Sequence, residues 1–84
     1  MSVHPVTAAT RARRRVTPRE LEVLALIADG HSTREIARRL WITEETVRTH
    51  VRRVLDRLDA RTRAHAVSIA YRDGLWATPE RKAS

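Results

Sequence analysis

The chain contains no cysteine, only two glycines and three prolines, and a single lysine, Lys82. The absence of cysteine excludes disulfides and cysteine-ligated zinc, so nothing indicates an oxidising compartment. No apolar run approaches the roughly 20 residues that a membrane-spanning helix requires, and no signal-peptide core follows Met1. From these absences we expect a cytoplasmic protein with no membrane segment.

The same scarcity of residue types argues against catalysis. Two glycines cannot supply a phosphate-cradling loop, and neither of them stands in such a pattern. The histidines show no metal-ligand spacing with acidic residues; they are His4, His31, His50 and His65. Two tryptophans and one tyrosine are too few for the stacking platform of a single-strand binder. We therefore expect no enzyme, no cofactor, no metal and no small-molecule site in this segment.

Positive charge is what the chain has in excess. Its 84 residues, enough for one small domain, carry 17 Lys+Arg against 10 Asp+Glu, a net charge of +7. Nearly all of the basic residues are arginine, whose planar guanidinium can pair bidentately with a phosphate or with guanine. A GC-rich genome would produce the same arginine bias. The net charge itself indicates an anionic partner, either nucleic acid or an acidic membrane surface.

Three helix starts lie close together in the middle of the chain. Thr17–Glu20 and Ser32–Glu35 each place a glutamate three positions after a hydroxyl residue, which is the capping-box pattern. Gly30 supplies a left-handed stop between them. Thr43 is positioned to cap a third helix, whose first turn gains from two glutamates. The sequence therefore predicts an all-α fold.

The third and fourth helices differ in how their apolar residues are arranged. The third, expected from about Glu44 to Leu58, has one apolar side and a free side that carries arginines. The fourth, capped by Thr62 and ending near Asp73, is apolar on more than one stripe. Its second stripe either packs within the monomer or meets a second copy, and the sequence leaves both possibilities open.

Residues 33–52 contain two short amphipathic helices joined by a tight turn, which is typical of a helix-turn-helix that enters a DNA major groove. The chain around them divides into a basic arm or linker at 1–15, the helix-turn-helix domain at 16–76 and a polar tail at 77–84. Leu75 and Trp76 are expected to fold back as a lid. Trp41 is large for the turn and is expected in the core; were it exposed, it would contact a partner.

Three motifs closely resemble the LuxR/NarL/GerE-type DNA-binding domain, over residues 16 to about 71. They are Val16–Leu24 (VTPRELEVL), Glu35–Leu40 (EIARRL) and Thr46–Val51 (TVRTHV). The resemblance implies a four-helix bundle-like domain whose third helix reads double-stranded DNA, and whose fourth helix pairs two copies over a two-fold related site. Such domains usually sit at the end of a longer chain behind a receiver or sensor, although some members are the DNA-binding domain alone.

The family's pattern also assigns roles to individual residues. The base-reading positions are taken by Arg48, Thr49 and Arg52. Phosphate contacts are expected from Arg34, Thr43, Thr46, Arg53, Arg61 and Arg63. The homodimer surface is expected at Ala66, Ile69, Ala70 and Asp73.

Three positions depart from that pattern, and the first is Trp41, where smaller or different side chains are common in the family. Asp59 stands where the family usually has glycine, so the turn after the third helix must be made with aspartate, which tolerates left-handed geometry better than most residues. His65 replaces an acidic or amide residue and is expected to weaken the capping box of the fourth helix.

The leading hypothesis is sequence-specific binding of double-stranded DNA by a bacterial transcription regulator, for which RNA polymerase is a further candidate partner. One alternative is promoter recognition of the sigma-factor type, for which RNA polymerase would be obligatory. The other is a basic helical module that binds an acidic protein. Sequence discrimination among duplexes separates DNA reading from the protein-interaction module.

Overall fold

The computed structural model describes residues 16–76, which form four α-helices. They are α1 (Pro18–Ala28), α2 (Thr33–Leu40), α3 (Glu44–Leu58) and α4 (Arg63–Asp73). No strand occurs in these 61 residues, and the all-α prediction is confirmed. The predicted arm at 1–15 and the predicted tail at 77–84 lie outside the described residues.

The first two helices begin at the predicted capping boxes. The Thr17 hydroxyl accepts a hydrogen bond from the Glu20 N–H at 3.1 Å, and the Glu20 carboxylate accepts one from the Thr17 N–H at 3.1 Å. Ser32 and Glu35 make the same reciprocal pair at 3.1 and 2.9 Å. Two otherwise unpaired N–H groups are thereby satisfied at each start. Both capping boxes are confirmed.

α4 begins with a variant of the same device. The Thr62 hydroxyl accepts from the His65 N–H at 3.0 Å, as a threonine cap should. In place of a glutamate, the His65 ring turns back, and its Nδ1 accepts from the Arg61 N–H at 3.1 Å. The imidazole thus satisfies a backbone donor just before the helix, although not the one that a complete capping box would reach.

α2 and α3 both end on non-glycine residues in the left-handed conformation, Trp41 with φ 60° and Asp59 with φ 54°. Asp59 adopts the geometry that the sequence predicted. Trp41 does not lie in the core: it is 92% exposed, so that expectation is wrong. Its neighbours Leu40 and Ile42 pack against the core instead, and the left-handed turn between them leaves the indole in solvent.

The core has two parts, and α1 and α3 contribute to both. The part beside α2 consists of Val23, Ile36, Ala37, Val47 and Val51. The part beside α4 consists of Val16, Leu24, Val54, Leu58, Ala66, Ile69 and Ala70. Ile27 and Leu55 pack against both parts. α3 is therefore held on several sides, and only one face of it remains free for a partner.

An ion pair crosses this core. Glu20 is 2% exposed and is the buried charged residue among those described. Its Oε1 accepts from the Thr17 N–H and also pairs with Nη1 of Arg57 on α3. The same carboxylate therefore caps α1 and anchors the last turn of α3.

The lid predicted at the end of the domain is confirmed. Nε1 of Trp76 donates to the carbonyl of Leu21 at 3.1 Å, and the ring meets Tyr71 edge to face at 4.7 Å between centroids. Leu75 packs with it against the core beside α4. This edge-to-face geometry is a favoured arrangement of aromatic pairs.

The inner side of α4 corrects the expected dimer surface. Ala66, Ile69 and Ala70 were expected to face a second copy, but they are buried within the monomer, with 0%, 7% and 0% of their surface exposed. A second copy cannot reach these side chains without opening the core. The small side chains serve instead to bring α4 close to α1 and α3. Asp73 is half-buried, with its carboxylate 3.9 Å from Nε of Arg72.

Candidate nucleic-acid interface

The free face of α3 carries the three residues predicted to read bases. At about 100° per residue, Arg52 falls between Arg48 and Thr49 on the helical wheel, opposite the buried valines. Arg48 and Arg52 are exposed and Thr49 is half-buried. Because all three project from one helix that the core holds in place, they form a single surface on the solvent side of α3.

The Arg48 guanidinium is held by two carboxylates of its own helix. Its Nη2 lies 3.4 Å from Oε1 of Glu44, and its Nη1 lies 3.7 Å from Oε1 of Glu45. Exposed ion pairs of this length are worth little, roughly 0–1 kcal/mol. Arg48 can therefore leave these partners for a stronger one.

The start of α3 offers hydrogen-bond donors to an anion. The Thr43 hydroxyl accepts from the Thr46 N–H at 3.0 Å and donates to the Thr46 hydroxyl at 2.9 Å, so the Thr46 hydroxyl is the side-chain donor of this pair that can turn to an anion. Thr43 is exposed and Thr46 half-buried, so the two predicted phosphate contacts are adjacent. A helix N-terminus also attracts phosphate through its dipole and its free N–H groups.

The remaining predicted phosphate contacts differ in how available they are. Arg34 on α2, Arg53 on α3 and Arg61 in the link before α4 are exposed, and none of them pairs with a described carboxylate. Arg63 is half-buried, and its Nη2 donates to the Thr33 hydroxyl at 3.2 Å. Arg63 thus joins the first turn of α4 to the first turn of α2, a structural contact that the sequence did not predict.

One part of the surface was not assigned by the sequence. An open groove of about 470 Å³ lies beside the turn between α2 and α3. Its lining residues are Ala37, Arg38, Trp41, Ile42 and Thr43. The sequence signal that points to this groove is Trp41, a bulky residue at a helix end that has no glycine.

Two other kinds of site are not found among the described residues: a membrane-spanning helix and a metal-binding group. Among residues 16–76, none of the four helices has the length and hydrophobicity of a membrane span. Within the same residues, no group of three histidine or acidic side chains could hold a metal ion.

Comparison with known proteins identifies the family of this domain. Residues 15–70 match the family described as bacterial regulatory proteins, luxR family. The transcriptional regulatory protein LiaR of Bacillus subtilis is 45% identical over 60 residues, which is 71% of this chain and 28% of LiaR. The uncharacterized transcriptional regulatory protein YxjL of the same organism is 46% identical over 59 residues, or 70% of this chain and 27% of YxjL.

The response regulator protein VraR of Staphylococcus aureus is 45% identical over 60 residues, covering 71% of this chain and 29% of VraR. The chain thus spans less than a third of the length of the curated relatives it matches. The family match covers most of the described domain, including the whole helix-turn-helix. The chain therefore belongs to the luxR family of bacterial regulatory proteins, and its helix-turn-helix is of the type that binds DNA.

Proposed function

We propose that this domain binds double-stranded DNA sequence-specifically, as the DNA-reading part of a transcription regulator, with α3 in the major groove. The observation that carries the proposal is the free face of α3, where Arg48, Thr49 and Arg52 lie together while the opposite side is packed in the core. An α-helix fits the major groove, where every base pair presents a distinct pattern of donors and acceptors.

The chemistry of these side chains suits that groove. A guanidinium can donate two hydrogen bonds to N7 and O6 of guanine, which is worth roughly 1–3 kcal/mol against a wrong base. Arg48 and Arg52 are the residues proposed for this contact, and the methyl group of Thr49 is proposed to meet a thymine methyl. Around them, the exposed Arg34, Arg53 and Arg61 and the Thr43–Thr46 pair are proposed to bind phosphates and set the register.

The experiment is selection from a random duplex pool at about physiological salt, followed by sequencing of what stays bound. We expect a two-fold motif with half-sites about one helical turn, or 10–10.5 base pairs, apart. Enrichment by the chain alone would exclude the sigma-type alternative, for which RNA polymerase is obligatory. Binding without enrichment that vanishes as salt rises would contradict the proposal and leave a basic protein-interaction module.

Two variants test the division between base and phosphate contacts. Arg52→Ala should relax the base preference at one position of the selected site. Arg34→Ala should weaken binding to all duplexes alike and lower the salt slope by about one unit. Arg19→Ala removes the same charge from the exposed first turn of α1, outside the proposed DNA-binding and pairing surfaces, and serves as the matched control. Equal effects of the first two variants on the selected and the scrambled site would refute this division.

We further propose that two copies bind the site together through the outer side of α4. With Ala66, Ile69 and Ala70 buried, we propose the contact for an exposed line of α4 whose residues follow one another at i, i+4 and i+7: Ala64, Ser68 and Tyr71. In a two-fold contact Ser68→Arg would set like charges against each other. It should abolish cooperative binding to two half-sites and leave binding to a single half-site unchanged; unchanged cooperativity would remove α4 from the interface.

A further inference from the structure

Trp41 combines two features that rarely occur together in a folded domain. The residue is 92% exposed, and its backbone is left-handed, with φ 60°. A positive φ is an outlier for a bulky residue, because the side chain crowds its own backbone. Glycine would make the same turn without strain and without an exposed aromatic ring. Strain of this kind is a reason to look for a partner at the site.

The surroundings of Trp41 give the chemistry of that partner. Arg34, Arg38 and Trp41 follow one another at i, i+4 and i+7, so they form one line along α2, with a rise of about 6 Å between the two arginines. Neither arginine pairs with a described carboxylate. The line ends at Thr43, the N-cap of α3, across the groove of about 470 Å³.

A ligand that fits this line is itself linear, negatively charged at intervals and apolar between its charges. A DNA strand has this alternation, since phosphates are separated by deoxyribose rings. Guanidinium groups bind the phosphates, while an indole offers a flat apolar surface to a sugar and an N–H donor to a phosphate oxygen. The groove is also continuous with Thr43, which belongs to the proposed phosphate-binding start of α3.

We propose that Arg38 and Trp41 form a docking strip for the sugar–phosphate backbone of the strand that flanks the bases read by α3. The inference rests on the proposed function and names a further surface of the same interface. Because the strip contacts backbone and not bases, it raises affinity for all duplexes and leaves base preference unchanged. Arg38 supplies a salt-dependent contribution, whereas the contribution of Trp41 is insensitive to salt.

The test uses tryptophan fluorescence in two single-tryptophan variants of the full chain. Trp76→Phe leaves Trp41 as the probe, and Trp41→Phe leaves the partly buried Trp76 as the control. Acrylamide is the quencher, because it is neutral and its access is not altered by the charge of the DNA. On saturation with the selected duplex, we expect the quenching constant of Trp41 to fall at least about twofold and that of Trp76 to stay constant.

The outcomes separate this inference from the proposed function. Duplex binding seen by anisotropy, with Trp41 as accessible as before, overturns the docking strip and leaves DNA reading intact. No duplex binding by the unmodified chain overturns the proposed function itself. Protection of Trp41 in free protein as its concentration rises would identify a second copy as the occupant and also overturn the strip.

Affinity measurements supply a test that does not depend on Trp76→Phe folding well. Trp41→Gly suits the left-handed turn and should fold, yet it should weaken binding to selected and scrambled duplexes alike, roughly fivefold to tenfold, with an unchanged salt slope. Trp41→Phe should recover part of this loss. Arg38→Ala should weaken binding and reduce the salt slope by about one unit. Full affinity in Trp41→Gly would overturn the inference.

Discussion

Nη1 of Arg57 pairs with Oε1 of Glu20, joining the last turn of α3 to the first turn of α1 across 37 positions of the chain. The carboxylate is buried, while the side chain of Arg57 is 27% exposed. A buried charge needs both a counter-charge and hydrogen bonds, and Glu20 obtains them from Arg57 and from the Thr17 N–H. The orientation of α3, the proposed recognition helix, therefore depends on a residue of α1.

Arg57→Ala should destabilise the domain by about 2–4 kcal/mol, because it leaves the Glu20 carboxylate buried without its counter-charge. Urea unfolding at neutral pH measures this loss. Arg72→Ala, at an exposed position, should stay within about 0.5 kcal/mol of the unmodified chain. A double-mutant cycle with Glu20→Gln isolates the pair from any other contact of Arg57, and a coupling energy near zero would contradict the assignment.

The four helices could be predicted from the sequence because each start is encoded locally. A hydroxyl residue followed three positions later by glutamate satisfies the same N–H groups wherever it occurs, so Thr17–Glu20 and Ser32–Glu35 carry their own evidence. The side of α3 that faces the core also follows from spacing alone, since its valines recur at helical intervals.

Three features could not be predicted in this way, each because it depends on tertiary structure. α4 is apolar on several sides, and only the position of α1 and α3 decides that Ala66 and Ala70 are buried. The Glu20–Arg57 pair joins residues far apart in the chain. The exposure of Trp41 follows from a left-handed turn at a residue that rarely adopts one.

The two left-handed residues should respond differently to replacement by glycine. Trp41→Gly relieves backbone strain of roughly 1–2 kcal/mol, against about 0.5–1 kcal/mol of extra unfolded-state entropy, so a net gain below about 1.5 kcal/mol is expected. Asp59→Gly should be nearly neutral, because aspartate tolerates the left-handed region. Thermal unfolding of both variants measures the difference; a destabilised Trp41→Gly would show that the indole makes contacts that support the fold.

Glu35 should make the stability of the domain depend on pH in the acid range. The hydrogen bond from the Ser32 N–H, helped by smaller contributions from His31 and the Ser32 hydroxyl, holds the pKa of Glu35 below its ordinary value of 4.5. A lowered folded-state pKa means that this stabilisation is present above pH 4.5 and is lost as the pH falls below it. Unfolding free energy followed through this range should fall less steeply in Glu35→Gln than in the unmodified chain, and identical slopes would contradict the assignment.

The carboxylates beside Arg48 should reduce non-specific binding. Glu45 lies near Arg52 on the free face of α3, where its charge repels the phosphates of any duplex that is not read in register. Glu45→Gln should therefore strengthen binding to scrambled duplexes more than binding to the selected one. The ratio of the affinity for the selected duplex to the affinity for scrambled duplexes should fall.

Glu44→Gln is the matched control, because it removes the same charge from the same turn and a contact with the same arginine, but from the edge of that face. It should raise affinity for both duplexes by similar factors. In the major groove a carboxylate can also accept from N4 of cytosine, which would tie Glu45 to one base of the site. Selection with the Glu45→Gln protein tests this second role: loss of a cytosine preference at one position would establish direct reading, whereas an unchanged motif with higher background leaves repulsion of phosphates as its whole effect.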